Sequence, residues 1–237
     1  MRCPYCLLIL LWLACILPRH AAQADDERRL ALVIGVGTYV NAPKLNNPTR
    51  DAQAMAEMLG RLGFEADLVL DPDSRQLSAA LREFGRKAEE SDLALIYFAG
   101  HGIQASGQNF LVPADAELLR ERDLAYEAPP LNLFLGELAQ ARRLGLMILD
   151  ACRDNPFSAQ LRQNAGLSRI DDTPANVVVA TATRADAVAA DGSGEHSPYT
   201  KALLADADAD LTPATAEPGE EDDNDLVVLA KGPSFSP

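Results

Sequence analysis

The chain has 237 residues, is 48% hydrophobic and 5% aromatic, and carries 21 basic against 35 acidic side chains, a net charge of −14. It can bury one sizeable core, which gives one principal domain. So acidic a surface argues against nucleic acid as a partner.

Residues 1–24 stand apart from that domain. Arg2 precedes an apolar stretch from Leu7 to Leu17, followed by Pro18 and Ala22-Gln23-Ala24, the layout of a secretory signal with a small-residue cleavage site before Asp25. The stretch is short for a membrane span. A secreted or periplasmic protein with no stable membrane span in its mature form is expected, and an uncleaved amino-terminal membrane anchor is the alternative. Cleavage removes Cys3, Cys6 and Cys15 and leaves Cys152 alone, so a disulfide framework is excluded. It also removes Arg2 and Arg19, leaving 19 basic against 35 acidic groups, a net of −16.

Leu30 to Val36 is an apolar, β-branched first strand, and Gly37 to Pro48 is a loop rich in Gly, Asn and Pro. Gly35 and Gly37 lack the third glycine and the lysine of a nucleotide loop. Thr49 is the expected cap of a helix through Arg61 with Ala52, Met55, Met58, Leu59 and Leu62 on one face, ended by Gly63. Phe64 to Leu70 is the next strand, 71–74 a turn, and Arg75 to Glu90 a helix turning Leu77, Leu81 and Phe84 inward. A third strand, Leu93 to Phe98, ends in Ala99-Gly100-His101-Gly102. Gly107 to Pro113 is a short extended piece. Asn132 or Leu133 to Arg143 reads as a helix, Leu144 to Leu149 as a fourth strand and Asn176 to Thr183 as a fifth. Ser197 caps a helix through about Leu204, with Pro198 in its first turn. Alternating strands and helices imply a parallel sheet covered on both faces. Asp206 to Asp225 holds nine carboxylates and no cation, an acidic, poorly ordered segment. Leu226 to Ala230 is apolar enough for a last strand.

The run Leu146 to Phe157 organises the chemistry. Its apolar half is a buried central strand, which brings Asp150-Ala151-Cys152 to a strand's carboxyl edge, where open α/β sheets keep their sites. Fifty-one positions separate Cys152 from His101, yet the two meet if their strands are neighbours about 4.8 Å apart. A thiol with an ordinary pKa near 8.5 is mostly protonated at neutral pH and needs a base to act as a nucleophile. His101, between two glycines, is the favoured base, and His196 reads as a surface residue near the cleft. The plain alternative for Cys152 is a buried core thiol. Acyl transfer also needs donors for an oxyanion, and the backbone N–H groups of Gly102 and Cys152 are the candidates. Asp150 and Asp51 are candidates for binding a cationic substrate side chain. For Asp51 the competing role is a carboxylate favoured by a helix dipole. No spaced set of metal ligands is evident.

Tyr97 to Gly102 (Y-F-A-G-H-G) and Asp150 to Phe157 (D-A-C-R-D-N-P-F) resemble the paired signature of the caspase-like cysteine peptidases, specifically the bacterial caspase and metacaspase branch. Leu30 to Tyr39, Asn109 to Ala116 and His196 to Leu204 support the resemblance, which covers about 29–204. It implies a three-layer α/β sandwich with a mostly parallel sheet of about six strands and helices on both faces. It also implies peptide-bond hydrolysis by a His101–Cys152 dyad through an acyl-enzyme, with Asp51 and Asp150 lining a pocket for Arg or Lys. The partner is then a protein or peptide substrate and no cofactor is required. Calcium activates parts of the family, and activation by calcium is implied as an option here with no site assigned to it. Beyond Ala205, residues 205–237 depart from the family pattern, which motivates a second reading as a non-catalytic, partner-binding module. The sequence carries no signal for an oligomeric state.

Overall fold

The structure is a computed structural model that describes residues 27–152, 167–170, 172–182, 194–211 and 228–229. The expected signal segment 1–24 and most of the acidic segment beyond Leu211 lie outside the described residues.

The elements follow in the order β1 (Arg29–Gly35), α1 (Pro48–Arg61), β2 (Glu65–Leu70), α2 (Ser74–Ala88), β3 (Leu93–Ala105), β4 (Gln108–Leu111), a 3-10 turn (Glu121–Asp123), α3 (Leu124–Glu127), α4 (Leu131–Leu138), β5 (Leu144–Cys152), β6 (Val177–Thr181), α5 (Pro198–Leu211) and β7 (Val228–Leu229). Six strands form one sheet in the order β2-β1-β3-β5-β6-β7, with β4 attached to β3. β2, β1, β3, β5 and β6 run parallel, and β7 pairs antiparallel with β6. This is the mostly parallel α/β sheet expected of a caspase-like fold.

Alternation along each strand divides the core into two layers. Leu30, Leu32 and Ile34 of β1 join a cluster with Leu77, Leu81 and Phe84 of α2 and Phe134 and Leu138 of α4. Ala31 and Val33 join Met55 and Leu59 of α1 and Tyr199 of α5 on the opposite face. Because both faces are covered, the central strands are apolar throughout and not alternating.

Several boundaries differ from the sequence reading for local reasons. α1 starts at Pro48, and Asn47, not Thr49, holds the cap position without a side-chain cap bond; proline needs no N–H in a first turn. α2 is fixed by a reciprocal cap in which Asp73 accepts from the Gln76 N–H at 2.7 Å and Gln76 accepts from the Asp73 N–H at 3.0 Å. α4 stops at Leu138 and does not reach Arg143. The N–H groups of Arg142 and Arg143 are drawn instead to the carbonyls of Ser91 and Asp92. α5 continues past Leu204 to Leu211, into the segment expected to lack order.

The differences that matter most concern β3 and β5. β3 does not end at Phe98 but runs through His101 to Ala105, so the glycines flanking His101 lie within a strand and not in a turn. Up to His101 the strand pairs in parallel with β5; from Gly102 it pairs antiparallel with β4. β5 likewise continues past Leu149 to Cys152.

Candidate active site

The carboxyl edge of the sheet is built by β1, β3 and β5. In the β3–β5 register Ala99 pairs with Asp150, Gly100 with Ala151 and His101 with Cys152. Residues paired in register sit opposite one another on strands about 4.8 Å apart. The sequence expectation that neighbouring strands carry these two residues to one edge is met by the backbone.

His101 is buried, 3% exposed, and is held from the β1–α1 loop. The Tyr39 hydroxyl accepts a hydrogen bond from the His101 backbone N–H at 2.7 Å, and the two rings lie 4.5 Å apart at a 44° tilt. The imidazole Nε2 lies 3.1 Å from the carbonyl oxygen of Pro43. A carbonyl only accepts, so Nε2 carries the hydrogen in this contact, and in the neutral ring Nδ1 then has the lone pair. The loop is itself tied down, because Asp71 Oδ1 accepts from the N–H groups of Gly37 and Thr38 at 2.8 and 2.9 Å.

The glycines on either side of His101 are needed for close approach. A Cβ on Gly100 would stand 2.7 Å from the Tyr39 hydroxyl, and one on Gly102 would stand 2.9 Å from Leu167 and 3.3 Å from the Ala151 Cβ. Distances near 3 Å are well inside van der Waals contact.

Asp51 and Asp150, from α1 and β5, are both buried, at 1% and 6% exposure. They meet across the amino-terminal end of α5. Asp51 Oδ1 accepts from His196 Nδ1 at 2.7 Å, and Oδ2 accepts from the Ser197 N–H at 3.2 Å. Asp150 Oδ2 accepts from the Ser197 hydroxyl in a short contact and from the Thr200 hydroxyl at 2.8 Å. Thr200 has one hydroxyl proton, already given to Asp150, so its oxygen accepts from the Tyr97 hydroxyl at 2.6 Å. Ser197 Oγ in turn caps α5 by accepting the Thr200 N–H at 3.0 Å, as the sequence suggested. Arg50, next to Asp51 in the chain, turns aside to Asn47 Oδ1 at 2.6 Å.

Burial holds the Asp51 carboxyl above its ordinary pKa; the bonds from His196 and Ser197 pull the other way and the charge of Asp150 adds to the rise. Burial first, then the same Asp150 charge, push the Tyr97 phenol well up and the Tyr199 phenol up to about 12. Both tyrosines stay protonated, and Tyr97 serves Thr200 as a donor, not as an anion.

His196 is the residue that the sequence reading underrated. Read as a surface histidine, it is instead 24% exposed in its side chain and paired to Asp51. Their separation of 145 positions leaves no local pattern to find it; the one available signal is that a histidine directly precedes the Ser197-Pro198 helix start. Among the described residues no group of three His, Cys, Asp or Glu is gathered to hold a metal ion, and no described helix is long and apolar enough to cross a membrane.

Comparison with known proteins places the chain in a family. The family model for the caspase domain matches residues 28–211. The chain is 34% identical over 144 residues to the human mucosa-associated lymphoid tissue lymphoma translocation protein 1, covering 57% of this chain and 17% of that protein. The mouse homologue is 34% identical over 138 residues, 56% of this chain and 16% of its own. The chain therefore spans about a sixth of the length of these curated relatives. The crystal structure of protein GSU0716 from Geobacter sulfurreducens shares the fold, with a TM-score of 0.59 at 15% identity over 78% of this chain and 84% of that one. With the ordered sheet edge and the match over most of its length, the chain belongs to the caspase-domain family.

Proposed function

We propose that the protein is a cysteine endopeptidase that cleaves peptide bonds after Arg or Lys, using Cys152 as nucleophile and His101 as its proton partner. The observation that carries the reading is the β3–β5 register, which pairs His101 with Cys152 at the sheet's carboxyl edge. The Pro43 carbonyl supports it by holding the imidazole with its hydrogen on Nε2, which leaves Nδ1 as the proton acceptor.

In this mechanism His101 Nδ1 takes the thiol proton while the sulfur attacks the carbonyl carbon of the scissile amide. The oxyanion is met by the backbone N–H groups of Gly102 and Cys152. Collapse breaks the C–N bond, and the leaving amine takes the proton from His101. Water then attacks the thioester with His101 as base, releasing the carboxylic acid and restoring the thiol. Side chains, backbone and water suffice, with no cofactor in the chemistry. Asp51 and Asp150 form the receptor for the cationic side chain before the cleaved bond. The signal-like pattern of residues 1–24 assigns this activity to the secreted or periplasmic space.

An arginyl chloromethyl ketone tests the reading. Mass spectrometry is expected to find it on Cys152 of the native chain, with labelling reduced at least about tenfold in His101→Ala, and hydrolysis of Arg and Lys peptides is expected to vanish in Cys152→Ala. A preference for Asp peptides would overturn the pocket assignment. Equal, negligible turnover by native chain and Cys152→Ala would favour a non-catalytic binding module.

A further inference from the structure

The two carboxylates assigned to a substrate cation are not equivalent. Asp150 is held by hydroxyls from Ser197 and Thr200 that belong to the capped first turn of α5. Those donors are fixed by the helix itself. Asp51 is held on one oxygen by the Ser197 N–H and on the other by an imidazole. His196 precedes the helix, in a bend, so its side chain can rotate away without disturbing the cap. It is also the solvent-facing member of the pair, 24% exposed against 1% for Asp51. Among the described residues it is the one cationic-capable group on Asp51, since Arg50 is engaged by Asn47.

We propose that His196 is an internal competitor for the acidic pocket: its imidazole occupies the position on Asp51 that a substrate's guanidinium or ammonium takes, and the substrate enters by displacing it. The inference rests on the reading of Asp51 and Asp150 as the receptor for a basic side chain. An imidazole offers Asp51 a single N–H, whereas a guanidinium offers a planar fork that matches a carboxylate with two parallel bonds. The exchange therefore favours a basic substrate once it arrives, and against neutral side chains His196 keeps its place. A protein whose competent state is populated one-tenth of the time binds about tenfold more weakly than its open form.

Displacement has a signature that direct substrate contact lacks. A competitor raises the apparent dissociation constant of every cation by one common factor, so its removal lowers KM for Arg and Lys peptides equally, leaves kcat unchanged and leaves the Arg-to-Lys ratio unchanged.

The test uses the full chain with Cys152→Ala and the probe Nα-acetyl-arginine amide. Calorimetry is expected to give about tenfold tighter binding when His196→Ala is added, and the imidazole resonances of His196 are expected to shift as the probe saturates the unaltered pocket. His196→Gln retains one N–H for Asp51 and falls between the two, which guards against a folding defect in the alanine variant. Equal affinity of all three proteins, weaker binding in His196→Ala, or unmoved His196 resonances at saturation would overturn the proposal while leaving the pocket in place. Absence of binding to any of the three would instead overturn the pocket reading on which it rests.

Discussion

The hydroxyl of Tyr39 fills the space that a side chain at position 100 would need, and it accepts the backbone N–H of His101. That N–H is buried, so losing its acceptor costs about 1–3 kcal/mol. Tyr39→Phe keeps the ring against the imidazole and deletes only the acceptor. It is expected to lower stability by about that amount in chemical denaturation, and to lower kcat more than KM because the base is displaced and not the pocket. An unchanged kcat would mean that Pro43 alone sets the imidazole. The sequence made His101 legible through its Gly-His-Gly setting, but nothing in it named Tyr39 or Pro43 as the partners. Both lie in a loop whose conformation is fixed by Asp71, from the far end of β2, and such a link is invisible to local pattern.

The amino-terminal end of α5 gathers four buried polar side chains, Asp51, Asp150, Ser197 and Thr200. Ser197 caps the helix, donates to Asp150 and offers its N–H to Asp51. Ser197→Ala keeps the backbone bond and loses the other two. A lost cap alone costs about 1 kcal/mol, and Asp150 left short of a donor adds to it, so the melting temperature is expected to fall by more than in an ordinary cap deletion. A change no larger than that would show that Thr200 and Tyr97 hold Asp150 unaided. Ser197 was readable because Ser-Pro at a helix start is a local signal. β3 was not read to its full length, because glycine weakens strands in general. Here Gly100 persists because its φ of +156° and the Tyr39 hydroxyl both disfavour a side chain, while a Cβ on Gly102 would crowd Leu167 and Ala151. The sequence pattern recovered the central strands since each is an apolar run, and missed the end of α4 since the Ser91 and Asp92 carbonyls that capture Arg142 and Arg143 are distant in the chain.

For the whole molecule, an acidic chain that buries two carboxylates side by side carries a pH dependence of determined sign. The folded state holds the Asp51 carboxyl above its unfolded value, chiefly through burial. Folding therefore favours the protonated form; the contribution to stability is full below the ordinary carboxylate value of about 3.9 and is lost as pH rises through the raised one. The melting temperature of the native chain relative to Asp51→Asn is expected to decline across that interval, and a flat difference would show that His196 and Ser197 offset the burial completely. At the opposite end of the sheet Lys87 of α2 reaches Glu65 and Asp67 of the edge strand β2, at 2.9 Å each, so the open flank of the sheet is guarded by charge. β3 pairs with three strands, β1, β5 and β4, and it passes from the parallel ladder with β5 to the antiparallel one with β4 between His101 and Gly102. Its exposed tip at Ser106 and Gly107, where both residues adopt positive φ, lies beyond the last bond that stations the imidazole. Foreign sequence spliced into that tip would be anchored covalently to the reactive strand yet mechanically insulated from it, which makes the hairpin a natural port for a tether or a fluorescent reporter.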